Sequence, residues 1–436
     1  MGIFLAIKQI IDMLYQFKFL DILMVLFVIV LISFKLISII KKEKKKEKKK
    51  ENESFITILR NNINVVDILV FALGLMFAIS VLRYPVAYTN GIKIESALLV
   101  YFLGRLYGKG CIKYTKVVAA VSYVLIYLNA AKFFYKLISY IVYGETIFFE
   151  DIPNLRNNGG FYFYKTDLAF AILIGTIFIY IFSELKTFKK FTVFVFNPIF
   201  IFNTAARAGQ LLYLVLVFLI IIFEIYKKKQ INKKGFDDGI ISEKKSLKKV
   251  LIIIVNSIFA VLAVIVISAF FVAQFTDVKK YSYDELELSG EQREMLENKF
   301  HSREVIWWDT CHYLANNSIV TELFGENLDD IYFAEHNGAN RKSHSIYLTI
   351  LFSVGFIGMM LFLAIAYFIS IYLVKNKNMQ MVFLCLTSWM LLLLGGFSVD
   401  TIEYTQISWL PFIFAGMSVT EKISIDANIE KQNKKQ

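Results

Sequence analysis

Long apolar runs separated by short polar links recur along the whole chain, and none alternates with the period of two that a half-buried strand needs. A helix must offer about 20 mostly apolar residues to cross about 30 Å of hydrocarbon. Eleven runs predict spans, at 19–40, 64–82, 93–107, 117–138, 167–184, 191–203, 209–226, 250–272, 346–374, 379–399 and 407–420. The third and sixth are short for a full crossing. Residues 1–18 are apolar but carry Lys8, Asp12 and Lys18, which suits an interfacial segment or a partial twelfth element. No small-residue cleavage site follows the first run, which therefore reads as a retained anchor. The pattern predicts an all-α polytopic membrane protein with eleven to twelve transmembrane helices.

The links between runs set the orientation. The lysine-rich stretch 41–50 follows the first run directly, and 227–249 carries nine lysines against three acids. Links 108–116, 185–190 and 375–378 and the C-terminal tail are basic too, and alternation of eleven spans puts all of them on one side. Positive charge accumulates on the cytoplasmic side, so the C-terminus is expected there. Nucleic-acid or anionic-lipid binding is the other reading of the lysine run; a topology signal explains it more simply, and no nucleic-acid partner is expected.

The opposite face receives one large loop, about 273–345. Between Thr276 and Ser345 it holds fourteen acids and seven bases, a net −7 in a chain of net +12. Its mixed charge, helix-like stretch Asp284–Arg303 and aromatics Trp307, Trp308, Tyr332 and Phe333 predict a small helical extracytoplasmic cap. A second outer loop, 139–166, is shorter. The expected organisation is an N-terminal transmembrane bundle at 1–272, the cap at 273–345, C-terminal transmembrane helices at 346–420 and a cytoplasmic tail at 421–436. No internal repeat suggests a transporter's inverted halves.

Composition narrows the class further. At 436 residues, 57% hydrophobic, with mean hydropathy +0.56, the chain cannot be one soluble domain. Cys111, Cys311 and Cys385 are far apart and make neither a disulfide framework nor a zinc knuckle.

All four histidines (His301, His312, His336 and His344) lie in the large outer loop, but their spacings match no metal-ligand template. No metal is expected. His344, within Arg341-Lys342-Ser343-His344-Ser345, directly precedes the run Ile346–Tyr372. With Ser343 as N-cap it would sit in the first turn of a membrane helix, where free N–H groups favour an anion and keep the imidazole neutral. A neutral ring can accept a proton; an interfacial histidine without a role is the alternative. Arg207 stands in the turn Asn203-Thr204-Ala205-Ala206-Arg207-Ala208-Gly209, where Thr204 can cap the following helix. A guanidinium at membrane depth must face protein, water or an anion, or else snorkel to the headgroups. Arg303, in Arg303-Glu304-Val305-Ile306-Trp307, is a third cation, with a salt bridge on a cap helix as its plainer reading. Cations beside helix N-termini and a neutral imidazole at one outer surface suit a membrane-bound phosphate or diphosphate.

These residues resemble a family. His344-Ser345-Ile346-Tyr347-Leu348 followed by Gly355-Phe356-Ile357-Gly358 is similar to the His-Asn-x-x-Leu and Gly-x-x-Gly signature of the O-antigen ligase and Wzy-type polymerase superfamily, which opens the span after the large periplasmic loop. Arg303-x-x-x-Trp307 with Phe324-Gly325 resembles the Arg-x-x-x-Trp and Phe-Gly stretch of that loop, and Thr204–Gly209 resembles its Ser-Arg-Gly turn. Ser345 stands where the family has Asn. The resemblance implies a GT-C-like, metal-independent glycosyltransferase of the bacterial cytoplasmic membrane acting on undecaprenyl-pyrophosphate-linked glycans, with no cofactor. It implies Arg207 and Arg303 as pyrophosphate binders and His344 as the acceptor-activating residue; Arg341 and Lys132 are further candidates. Gly355 and Gly358 suit close helix packing more than chemistry.

A ligase of this type moves glycan to lipid A-core; a polymerase joins lipid-linked repeat units, with a flippase and a chain-length regulator as natural partners. The richness in Lys, Ile, Asn and Phe suggests an AT-rich genome and favours a polymerase of capsular or O-antigen polysaccharide. A transporter or flippase is the rival class. It would need ionisable groups near the bilayer midplane, where only Asp67, Arg105, Lys132 and Lys136 come into question. A polysaccharide-binding regulator fits the acidic cap but leaves Arg207 unexplained.

Overall fold

A computed structural model of the chain describes residues 26–34, 37–38, 63–83, 88–108, 115–143, 165–204, 206–233, 307, 310–311, 313–326, 345–375, 378–397, 401–402 and 407–420. Among them there is no strand. The long elements are α1 (Val65–Arg83), α2 (Tyr88–Tyr107), α3 (Thr115–Tyr143), α4 (Lys165–Phe182), α5 (Lys186–Phe191), α6 (Asn197–Asn203), α7 (Arg207–Lys233), α8 (Ile319–Phe324), α9 (Ile346–Lys375), α10 (Met379–Gly395) and α11 (Ile407–Thr420). Four stretches are long and apolar enough to cross a membrane: Val65–Arg83, Val117–Tyr135, Arg207–Ile225 and Ile346–Leu373. Three shorter apolar helices accompany them at Thr166–Phe182, Gln380–Gly395 and Ile407–Thr420. The protein is an all-α, multi-pass membrane protein. The expected span 250–272 lies outside the described residues, as do the lysine run 41–50 and residues 234–249 of the link after the seventh span.

The outward faces show why these helices need a bilayer. In α1 the exposed side chains Ile68, Phe71, Leu75, Ile79 and Leu82 recur every three or four residues, while Val66, Val70, Leu73 and Phe77 are buried on the other side. Helix α7 repeats the arrangement, with Leu211, Leu214, Phe218 and Ile221 outward and Leu212, Leu216 and Ile220 inward. A helix apolar all round suits a solvent that is itself apolar.

The described helices fall into two compact units, one built on α3 to α7 with residues 386–395, the other on α1, α2, α8, α9, α11 and residues 379–385. In the first, α3 and α4 lie antiparallel. Gly175 packs so closely on Ile126 and Ser122 that an added Cβ would meet Ile126 Cδ1 at 2.9 Å, and Tyr123 bonds Ser183 across the same pair at 2.9 Å. The short sixth run is part of a longer helical stretch, α5 and α6 joined by a π-helical turn, Thr192–Phe196. In that turn Asn197 N–H donates to Thr192 O, five residues back. The next bond in the series would come from residue 198, which is proline and has no N–H. The Val193 carbonyl is instead taken by the Tyr213 hydroxyl of α7. The side chain from α7 thus satisfies the backbone that Pro198 leaves open, and it joins the two helices.

In the second unit α9 is buried on most sides and packs along α1. Helices α2 and α11 cross at glycines: a Cβ on Gly104 would lie 2.1 Å from Ile413 O, and one on Gly416 the same distance from Tyr101 O. Close approach through small residues is the usual way membrane helices gain contact, because lipid supplies no hydrophobic drive between them. Four helix ends then meet on one polar network. Asp67 of α1 accepts from Tyr101 at 2.6 Å and from Arg105 Nε at 3.1 Å, and Arg105 Nη1 reaches Thr420 of α11 at 3.2 Å. The backbone N–H of Asn64 donates to Asp67, while Asn64 Oδ1 accepts from Tyr372 of α9 at 2.6 Å. The start of α1 therefore sits level with the ends of α2, α9 and α11, as alternation of spans requires. Asp67 and Arg105, named above among the ionisable groups a transporter would need, are partners of one another in this network.

Candidate functional site

In the first unit the turn after α6 places Arg207. Thr204 stays buried, its hydroxyl donating to Ile201 O at 2.7 Å and accepting from Ala206 N–H at 3.2 Å. Ala206 O accepts the first bond of α7, from Gln210 N, and Gln210 Nε2 reaches back to Phe202 O at 3.0 Å. The turn is thus tied at both ends, and Arg207 emerges exposed as the first residue of α7. Gly209 lets this helix start lie against α4, because a Cβ there would meet Ala169 Cβ at 2.6 Å. A cation at the positive end of a helix is electrostatically unfavourable by itself, and an anion there relieves both the charge and the unpaired N–H groups.

Lys132 of α3 is only 4% exposed, and Asp167 in the first turn of α4 only 1%. The antiparallel register set by Gly175 and Ile126 brings 132 and 167 to about the same level. The side chain of Lys136 lies outside the described residues.

The second unit holds the cap segment and the start of α9. Ser318 caps α8 by accepting from Thr321 N–H, and the helix ends at Gly325, whose φ is +80°. Within α9, Gly355 has φ +68° and ψ −168°, so the helix is kinked there. The kink frees the carbonyl of Phe352 from its helical partner, and Glu326 N–H of the cap occupies it at 2.7 Å. Phe352 also packs with Leu314 and, in a tilted ring pair with centres 5.6 Å apart, with Tyr313. Two motifs 30 residues apart, Phe324-Gly325 and Gly355, form one backbone-to-backbone joint. Gly358 is different: its added Cβ would strike Val354 of its own helix.

Helix α9 begins at Ile346, with Ser345 O accepting from Thr349 N–H, two residues later than Ser343 as N-cap would put it. Ile346 N–H donates to Gly396 O at 2.9 Å, and Tyr347 packs on Phe397 at 4.7 Å. The backbone immediately after residue 344 is therefore firmly anchored. His344, Arg341 and Arg303 themselves lie outside the described residues, as do His301, His312 and His336.

Asp167 and Glu95 are among the acidic groups in or beside the membrane helices that escaped the sequence reading. Glu95 lies eight residues into α2 against the Cα of Gly74, and among the described residues nothing hydrogen-bonds its buried Oε1. A carboxylate inside an apolar run was the available signal for it.

Residues 191–363 match the family model described as O-antigen ligase, the Wzy_C domain. Over that stretch the chain is similar to the O-antigen ligase/Wzy superfamily. The matched stretch contains Arg207, Arg303, Arg341, His344, the Gly325–Gly355 joint and the π turn; Lys132 lies ahead of it. No curated protein and no solved structure matches the chain. The match supports an O-antigen ligase- or polymerase-type function, and with it a glycosyl-transfer enzyme.

Proposed function

We propose that this protein is a Wzy-type polymerase, joining undecaprenyl-pyrophosphate-linked oligosaccharide repeats into capsular or O-antigen polysaccharide on the outer side of the cytoplasmic membrane. The observation that carries the reading is Arg207: an exposed guanidinium held by a fastened turn at the head of a membrane helix, inside the matched stretch. That position suits the headgroup of a lipid-linked diphosphate.

In the proposed reaction the acceptor hydroxyl oxygen attacks the anomeric carbon of the donor glycan. The bond from that carbon to the diphosphate oxygen breaks, and its electron pair leaves with the lipid diphosphate. His344 takes the proton of the acceptor hydroxyl. Arg207 and Arg303 neutralise the charge that grows on the leaving oxygen, a task most valuable where water is scarce. Two fixed cations give this stabilisation without a divalent metal. The lysine distribution supports a cytoplasmic C-terminus and an outward-facing cap, and a flippase and a chain-length regulator are the partners such a polymerase would work between.

The test uses purified protein in lipid nanodiscs with lipid-linked repeat units, with and without EDTA. Chain growth that survives EDTA and disappears in Arg207→Ala and His344→Ala is expected. Unaltered growth in His344→Ala removes that residue from the chemistry; loss in EDTA points to a metal enzyme. Transfer to lipid A-core with no self-polymerisation identifies a ligase instead.

A further inference from the structure

Along the first unit runs a continuous column of aromatic rings that the proposed chemistry does not use. Tyr123 and Tyr127 of α3 pack on Phe188 of α5 with centroids 5.3 and 5.2 Å apart. Tyr127 also stacks on Phe196 of the π turn at 4.5 Å, and Phe196 meets Phe200 of α6 at 4.8 Å. Phe200 closes the column against Phe133 and Phe134 of α3, at 5.5 and 6.1 Å. Helices α3 and α5–α6 run parallel through these contacts. From Tyr123 to Phe134 the column covers about 16 Å at 1.5 Å per residue.

Three features make it more than internal packing. It reaches the surface along much of its length: Phe134 is 45% and Phe188 42% exposed and Tyr123, Tyr127 and Phe196 are half-buried, while Phe133 and Phe200 form a buried layer beneath. Its two phenol hydroxyls are bonded within the protein, Tyr123 to Ser183 and Tyr127 to Thr192, so the column offers only apolar ring to the outside. Its ends differ in charge chemistry. One end carries Lys186, Lys189 and Lys190 of α5; at the other Lys132 precedes Phe133, and Thr204, whose N–H donates to Phe200 O, begins the turn to Arg207.

We propose that this column is the track for the polyprenyl chain of the lipid-linked diphosphate, with the diphosphate at the Lys132–Arg207 end. The inference rests on the glycosyl-transfer reading above and deepens it by assigning the lipid tail. An isoprenoid chain is a repeat of flat alkenes bearing methyl branches, shapes that lie well against ring faces and edges. Rings already stacked lose little freedom when such a chain settles on them. An acyl chain lacks the planar units, and an ordinary phospholipid brings a single phosphate; the track therefore selects by tail and by headgroup together.

The experiment photolabels full-length protein in phospholipid nanodiscs with a long-chain polyprenyl diphosphate carrying a diazirine in its chain. Label on α3 and on residues 188–200 is expected, displaced by unlabelled polyprenyl diphosphate and not by excess phospholipid. Tyr127→Leu, Phe196→Leu and Phe200→Leu together should weaken long-chain binding at least tenfold while leaving inorganic diphosphate binding unchanged. Arg207→Ala should weaken both. Wild-type binding with label elsewhere, or displacement by phospholipid, overturns the track and leaves the enzyme reading standing. Failure of the wild-type protein to bind any polyprenyl diphosphate sinks the donor assignment, and the track with it. Should the triple variant fail to fold, the wild-type label map decides alone.

Discussion

Gly325 stands in the space a side chain on Gly355 would need: a Cβ on Gly355 would lie 2.5 Å from the Gly325 nitrogen and 2.4 Å from the Leu323 carbonyl carbon. Both have positive φ, +80° and +68°. The cap segment is thus seated in the kink of α9 by backbone contact, alongside the Phe352 packing, about two and a half turns into the helix that follows residue 344.

Gly355→Ala should open this joint. The substitution meets both an unfavourable φ and a backbone collision, so a loss of about 1–3 kcal/mol or more is expected. Gly358→Ala, whose clash is with a Val side chain, should cost less. Thermal melts in detergent and proteolysis rates around 313–326 would rank the two variants; equal effects would refute the joint.

The Asp67–Arg105 pair predicts a second stability effect. Both side chains are nearly buried, at 11% and 12% exposed. Removing one partner by Arg105→Ala leaves the other charge uncompensated, for a loss of about 3–5 kcal/mol. Tyr101→Phe removes only one hydrogen bond to Asp67 and should cost about 1 kcal/mol. A double-mutant cycle between Asp67→Asn and Arg105→Ala should show strong coupling, and additive losses would count against the network.

Tyr213 and Pro198 should be coupled although they do not touch through side-chain chemistry. Tyr213→Phe strands the Val193 carbonyl, at about 1–3 kcal/mol. Pro198→Ala returns an N–H to the π turn that can take that carbonyl, so the double variant should be more stable than Tyr213→Phe. If Pro198→Ala gives no relief, the carbonyl was not left open by the proline.

For activity, Arg207→Ala should lower kcat by roughly 100-fold or more, the scale on which loss of one group stabilising a transition-state charge is felt. Arg207→Lys keeps the charge but loses the planar fork and should recover part of the rate. Single-turnover assays with lipid-linked repeats would separate this from a change in donor affinity.

Much of the architecture was readable from the chain because a bilayer imposes a simple rule. Any segment crossing hydrocarbon must be helical and apolar over its length, and so α1, α3, α7 and α9 announce themselves by composition. The family likeness was readable as well, since short motifs carry it: Arg207 at a turn, Phe324-Gly325 in the loop, and Gly355-x-x-Gly358 in the following run. The sixth run was harder. Its apolar stretch is short because the helix starts earlier, on the lysines of α5, and a π turn with Pro198 sits inside it.

Tertiary structure alone decided which of these pieces share a backbone contact or a charge. Nothing in the spacing of Gly325 and Gly355 says that they meet, because the joint depends on a kink that φ at one residue creates. Asp67 and Arg105 look like separate span-end charges until helices 38 residues apart in register bring them to 3.1 Å. The order of apolar and polar residues dictates how each segment sits in the bilayer, through transfer energies that are local and additive. Which segments pack together rests on close, directional contacts between distant residues, and those exist only once the chain has folded.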